Sequence, residues 1–341
     1  MASYRTGCGK AALVLAVLLA GCQPQAGSPP GAAVPLAQSS GGAHASPRDC
    51  TIVAASRNGQ QAVAVCTDAL LASDLPDRTK ALLHVNRGLA YVYAHDLTRA
   101  EADFDAAISL NPADALAYNN RAMVKQEAGD SNGALADAEQ AIKLKPELAD
   151  AYVNRARARH MLGYDAESIM QDLNEAIRLN PDSPMAYNDR GALYLNAGKF
   201  DHADADIDKA LHLDPTLAIA YGNRGVVRYL QGDVDAALKE FDHALSLAPG
   251  NPDFLSARGQ AYEAKGQYGK AIADQTAAID AGMKGPGPYV YRAEAYLHAG
   301  DKDRAAADCR EATKLDPLHR PNVGYRDVNH SFTCTADGPL I

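Results

Sequence analysis

Tryptophan is absent from this 341-residue chain, phenylalanine occurs five times, and aromatic residues make up only 6%. Sheets are rich in aromatic and β-branched side chains, so this scarcity beside a hydrophobic fraction of 47% points to alanine-rich helices. Excess positive charge is missing too: 33 Lys and Arg face 42 Asp and Glu, a net charge of −9. No basic patch offers to neutralise a phosphate backbone, which argues against a nucleic-acid partner. Nor does any apolar run approach the 20 or so residues that cross a bilayer. Catalytic signatures are lacking as well: there is no HExxH, no GxSxG and no Gly-rich phosphate loop of the Walker kind. The histidines are scattered, His202 and His212 lack the three- or four-residue spacing of metal ligands, and no CxxC accompanies the cysteines. The sequence therefore predicts no cofactor, no metal and no enzymatic activity.

The N-terminus carries a short, specific signal. Arg5 and Lys10 precede AALVLAVLLA (11–20), about the length of a signal-peptide core, and the run ends in LAGC at Cys22. This stretch resembles the bacterial lipobox. The resemblance implies that residues 1–21 are removed and that Cys22 takes a diacylglycerol, with a further acyl chain on its new amine. Two or more chains suffice for stable anchoring. Gln23 in place of Asp after the cysteine implies an outer-membrane address facing the periplasm. Removing Arg5 and Lys10 leaves 31 − 42 = −11. Residues 22–48 are rich in Pro, Gly, Ala and Ser and read as a lipid-anchored flexible tether, with a root-mean-square span of roughly 28 Å. Four cysteines remain, Cys50, Cys66, Cys309 and Cys334, and an even number in an exported chain suggests two disulfides. Three pairings are open, and nearness in sequence favours Cys50 with Cys66 and Cys309 with Cys334.

From Ala81 the chain repeats every 34 residues, with units starting at Ala81, Ala115, Ala149, Pro184, Ala218, Pro252 and Pro286 and one extra residue in the third. Position eight is small (Gly88, Ala122, Ala156, Gly191, Gly225, Gly259, Ala293). Position fifteen is Gly except for His95, position twenty-seven is Ala, and Pro closes six units. Small residues admit close helix approach, Gly stops the first helix and Pro cannot continue the second, so each unit predicts a helical hairpin. Residues 81–319 resemble the tetratricopeptide repeat in length and pattern. Departures are Tyr, His84 or Leu255 where that family often has Trp, Ile169 for the usual Ala, and AGMKGPGP (281–288) where the sixth unit should end in Pro. The resemblance implies an all-α, right-handed superhelical solenoid of about seven hairpins. Residues 49–80 would cap its start, with 59–75 reading as one lone helix, and the tail 320–341 its end, since terminal stacking faces need cover.

Position seven is Arg in every unit: Arg87, Arg121, Arg155, Arg190, Arg224, Arg258 and Arg292. An acid stands four residues before each position-27 Ala: Asp103, Asp137, Asp172, Asp206, Glu240, Asp274 and Asp308. A guanidinium on an inward stripe needs a partner, so the two helices of each hairpin should be bridged by an Arg–carboxylate pair. A competing reading has the arginines lining a ligand groove. Position six holds Asn86, Asn120, Asn154, Asp189 and Asn223, about 100° from the buried stripe. In tetratricopeptide proteins first helices line the concave surface, and the resemblance implies that these amides form a track for the backbone of an extended peptide. The other reading is that they cap or solvate a helix face. Leu82, Leu89, Leu116, Met123, Met185, Ile219 and Val226 at positions two and nine would flank the track. The expected function is a non-enzymatic lipoprotein scaffold or adaptor in the bacterial envelope that docks protein partners in its concave groove. The alternative is a carrier of polysaccharide or peptidoglycan strands. Oligomeric state is not legible.

Overall fold

Aspartate ahead of the second helix and glycine behind the first decide where each hairpin turns. The computed structural model describes residues 44–55, 58–315, 333–335 and 338–340. Two short helices come first, α1 (Pro47–Ala55) and α2 (Gly59–Leu70). Seven hairpins follow. The first three are α3 (Asp77–Tyr93) with α4 (Leu97–Leu110), α5 (Ala115–Glu127) with α6 (Ser131–Leu144), and α7 (Ala149–Met161) with α8 (Ala166–Leu179). The next four are α9 (Pro184–Asn196) with α10 (Phe200–Leu213), α11 (Ala218–Leu230) with α12 (Val234–Leu247), α13 (Pro252–Ala264) with α14 (Tyr268–Asp280), and α15 (Gly287–His298) with α16 (Lys302–Leu315). Strands β1 (Thr333–Thr335) and β2 (Gly338–Leu340) pair antiparallel. The chain divides into two compact units, one ending at Ala186 and the other starting at Tyr187. The signal segment, Cys22 and most of the tether lie outside the described residues.

Every first helix of the seven hairpins stops in the same way. Gly129, Gly163, Gly198, Gly232, Gly266 and Gly300 take positive φ, and His95 does so in their place at φ 58°. One residue further on, the backbone N–H bonds five residues back, as from Asp130 to Lys125 O (2.8 Å) and from Asp96 to Tyr91 O (2.9 Å). The next helix starts at once, because the side chains of Asp96, Asp130, Asp233 and Asp301 accept the N–H three residues on. In the third unit the extra residue falls between Gly163 and the capping Asp165, so the turn absorbs it and both helices keep their register. At the far end Asn111, Lys145, Asn180, Asp214 and Ala248 are held extended ahead of a proline, and each N–H bonds the carbonyl of the position-27 alanine.

Alanine dominates the core, and large side chains appear where glycine leaves room. A Cβ on Gly88 would lie 2.7 Å from the Phe104 ring, one on Gly225 2.6 Å from Phe241, and one on Gly191 2.9 Å from Ile207. Where position eight is alanine, the facing residue is Ala138, Leu173 or Cys309. Both phenylalanines of this layer thus lie against a glycine, with no room for a Cβ between them.

The ends are covered differently from one another. Sequence reasoning assigns the N-terminal cap a single helix, whereas α1 and α2 make a full hairpin joined by Cys50–Cys66 and packed on α3. At the other end the tail forms the β1–β2 ribbon against α16, joined by Cys309–Cys334, with Cys334 packed among Val290, Ala293 and Ala312.

Candidate functional site

The arginine row resolves first. Arg87 donates Nε to Asp103 Oδ2 at 2.8 Å and Nη2 to Oδ1 at 2.7 Å. The same two-pronged grip joins Arg121 to Asp137, Arg155 to Asp172, Arg190 to Asp206, Arg258 to Asp274 and Arg292 to Asp308. Arg224 differs, with one bond to Glu240 (3.0 Å) and a buried Nε that has no partner. The extra methylene of Glu turns its carboxylate off the square approach that Asp allows. Tyrosines at position four lie under several of these guanidinia, 5.3 Å from Arg155 and Arg224.

Sequence reasoning missed the third prong. Nη1 reaches the preceding hairpin: Arg121 meets Asp105 at 2.6 Å, Arg224 meets Asp208 at 2.9 Å and Arg258 meets Asp242 at 2.7 Å. Thr276 takes this place for Arg292, and Thr67 on the cap for Arg87. The signal was an acid or hydroxyl two residues after the pairing acid. Each such arginine therefore holds its own hairpin closed and clasps the one before it. These groups are spent on structure. The bond to Asp103 raises Arg87 above its ordinary value against the opposing effect of burial. Burial alone would raise Asp103, but the Arg87 and His84 bonds outweigh it and hold its carboxyl below the usual range.

Position six is more enclosed than its offset from the buried stripe suggests. Asn86 and Asn154 are each 9% exposed, Asp189 3% and Asn223 0%, while Asn120 is half-buried. Hairpins stack closely enough that this position meets position five of the hairpin before it. Asn154 donates Nδ2 to Asn119 Oδ1 (2.9 Å) and to its backbone oxygen (3.2 Å), and Asn223 donates to Asn188 Oδ1 (2.9 Å). Asn86 makes the equivalent bond to Thr51 of the cap (3.1 Å). Asp189 accepts from Asn188 at 3.1 Å. Asn120 would need a partner at Val85, which has no polar side chain, so its amide nitrogen keeps no hydrogen bond among the described residues.

The open part of the first helices is instead the stripe of positions two, nine and thirteen. Leu82 and Leu116 are each 49% exposed and Met161 57%, with Leu89 and Met123 half-buried between them. Ile219 and Val226, at the same positions of the fifth unit, are buried. Two carboxyls on this stripe are out of their ordinary range. Burial pushes Glu127 up to about 7, partly offset by Arg157, and pushes Asp253 up to about 6. Oε1 of Glu127, Oε1 of neighbouring Gln126 and Oε1 of Gln260 are buried without hydrogen-bond partners. Among the described residues no cluster of His, Cys, Asp and Glu could hold a metal ion. No helix among them is long and apolar enough to cross a membrane.

A profile described as tetratricopeptide repeat matches residues 85–125, 120–184, 188–252, 231–286 and 256–319, well over half of the chain. No curated protein matches by sequence. Solved structures share the fold at low identity. The Cut9–Hcn1 hetero-tetramer of the APC/C superposes with a TM-score of 0.65 at 15% identity over 80% of this chain, which spans about half (52%) of that one. PilW, described as a type IV pilus biogenesis factor, gives 0.51 at 21% identity over 63% of this chain and 96% of its own. An IFIT1 mutant with m7Gppp-AAAA gives 0.59 at 15% identity over 80% of this chain and 70% of its own.

Proposed function

The chain belongs to the tetratricopeptide-repeat family, and from that premise we propose that it is a non-enzymatic scaffold of the bacterial envelope. In this reading Cys22 is lipid-anchored in the outer membrane, and the first-helix face holds an extended segment of a protein partner. One observation carries the docking part. Leu82 and Leu116 stand about half exposed on a stripe whose counterparts Ile219 and Val226 are buried, beside an Asn120 whose amide nitrogen donates to nothing among the described residues. Exposed leucines in register on adjacent helices cost free energy in water that a partner's apolar side chains would recover. Among the position-six residues, Asn120 is the one left able to donate to a passing backbone. Asn86, Asn154 and Asn223 hold neighbouring hairpins in register, and Asp189 accepts from Asn188 beside it.

Support for the envelope setting comes from the LAGC motif and from two cystine pairs, which persist in oxidising compartments. PilW's description as a pilus factor is compatible with that setting, although at 21% identity the likeness extends to fold alone. The test is a photo-crosslinking amino acid placed in cells at Leu116, with exposed Glu139 on α6 as control. A polypeptide adduct at position 116 and none at 139 is expected. An adduct cleaved by a muramidase rather than a protease would favour the glycan reading, and equal labelling at both sites would sink the groove.

A further inference from the structure

The last turn of α5 gathers acceptors with no donor. Glu127 is the final residue of that helix, at the negative end of its dipole, where a carboxylate is disfavoured. Its Oε1 is buried and makes no hydrogen bond, and the same holds for Oε1 of Gln126 beside it. Cations on the same helix are already engaged: Arg121 grips Asp137 and Asp105, and Lys125 sits 2.9 Å from Asp137. Arg157 of α7 is near enough to offset part of the effect of burial on Glu127, but leaves Oε1 without a bond. Among native side chains such an arrangement is costly, since a buried acceptor without a donor forgoes its hydration for nothing.

We infer that the first-helix face of the first three units docks an apolar polypeptide segment carrying one lysine or arginine, with Leu82 and Leu116 receiving its apolar side chains and Glu127 its cation. The inference rests on the groove reading above and adds the chemistry of the occupant. A partner's ammonium or guanidinium would restore the missing donor, compensate the helix end, and favour the ionised form of a carboxyl that burial holds near neutrality. An anionic partner would do none of this, and an uncharged donor would supply the hydrogen bond without the opposing charge at the helix end. Neither would a second copy of a chain with 42 acids dock here by charge alone. Leu116 and Glu127 are eleven residues apart on one helix, roughly 16 Å, which an extended strand lying along it covers in about five residues.

The experiment selects a random dodecapeptide display library on the immobilised full-length protein, and repeats the selection on Glu127→Gln and Leu116→Asp. Retained sequences are expected to pair a lysine or arginine with a large apolar residue about five positions away. On Glu127→Gln their affinity should fall about tenfold and their basic residue should become dispensable; on Leu116→Asp binding should vanish. Thermal unfolding run alongside should show Glu127→Gln at least as stable as the parent, so that lost binding is not lost fold. Peptides that depend on Leu116 but need no base, or that still need it on Glu127→Gln, overturn this inference and leave the groove standing. If no retained peptide depends on Leu116, both fall.

Discussion

The N-terminal unit surrounds its structural acids with two basic side chains each, whereas the C-terminal unit supplies one. In the first three hairpins Asp103 is held by Arg87 and His84, Asp137 by Arg121 and Lys125, and Asp172 by Arg155 and Arg159. From Tyr187 onward, Asp206, Glu240, Asp274 and Asp308 each meet a single arginine among the described residues, and tyrosine occupies position eleven at Tyr194, Tyr262 and Tyr296. The open stripe differs in the same sense. Apolar side chains stand exposed in the first unit, while the second buries its own and turns to Asp253 and Gln260. Redundant charge in the N-terminal unit secures hairpins whose outer row is left unpaid by packing. Such a division suits a region that must stay folded while presenting leucine to a partner.

Arginine replacement breaks this contrast most sharply. Arg121 and Arg258 are a matched pair, each gripping one Asp in its hairpin and a second on the hairpin before. Arg258→Leu strands Asp274 with no cation and should cost about 3 kcal/mol, the low end for a broken buried pair because the guanidinium keeps an edge to water. Arg121→Leu leaves Lys125 on Asp137 and should cost about half as much. Denaturant midpoints of the two variants decide the matter, and equal losses would show that the second cation contributes nothing.

Much of this was legible in the sequence because it recurs. Seven arginines and seven acids at fixed offsets left little freedom, and six glycines at one position marked where each first helix stops, a turn that His95 also makes at positive φ. What stayed hidden was inter-hairpin geometry. The 100° offset of position six says which way an asparagine leaves its own helix but not how near the next helix stands. Only the contacts of Asn154 with Asn119 and Asn223 with Asn188, both 2.9 Å, and of Asn86 with Thr51 at 3.1 Å reveal that three amides are consumed in stacking. Likewise the place of Asp105 on its own helix does not say that Arg121 of the next hairpin reaches it at 2.6 Å. The cap misread has a similar cause, since α1 is nine residues with a weakly apolar face and no glycine signal before it.

The two burial-raised carboxyls sharpen the comparison through pH. A carboxyl whose pKa is higher folded than unfolded binds more protons in the folded state, so stability falls as pH climbs from the unfolded value to the folded one. For Glu127 that window runs from 4.5 to about 7, and for Asp253 from 3.8 to about 6. At pH 8, Glu127→Gln should therefore raise stability by about 2 kcal/mol, and Asp253→Asn by somewhat less. Melting temperatures taken from pH 5 to 8 should lose part of their downward slope in each variant. A Glu127→Gln slope identical to the parent's would mean that the carboxyl is hydrated.

His95 gives the smallest effect and the cleanest. It occupies the left-handed turn that glycine fills in the other six hairpins, at φ 58°, where an L side chain crowds the following carbonyl. His95→Gly relieves that strain but also gives the unfolded chain more freedom, so the two terms partly cancel. The net gain should be about 0.5–1 kcal/mol. The reciprocal change, Gly129→His in the second hairpin, meets open space around the added Cβ, so its cost isolates the backbone term. If the turn alone sets the energy, the two changes are equal and opposite. A larger gain at His95 would mean that the first hairpin, under the disulfide-bound cap, carries strain that the second does not.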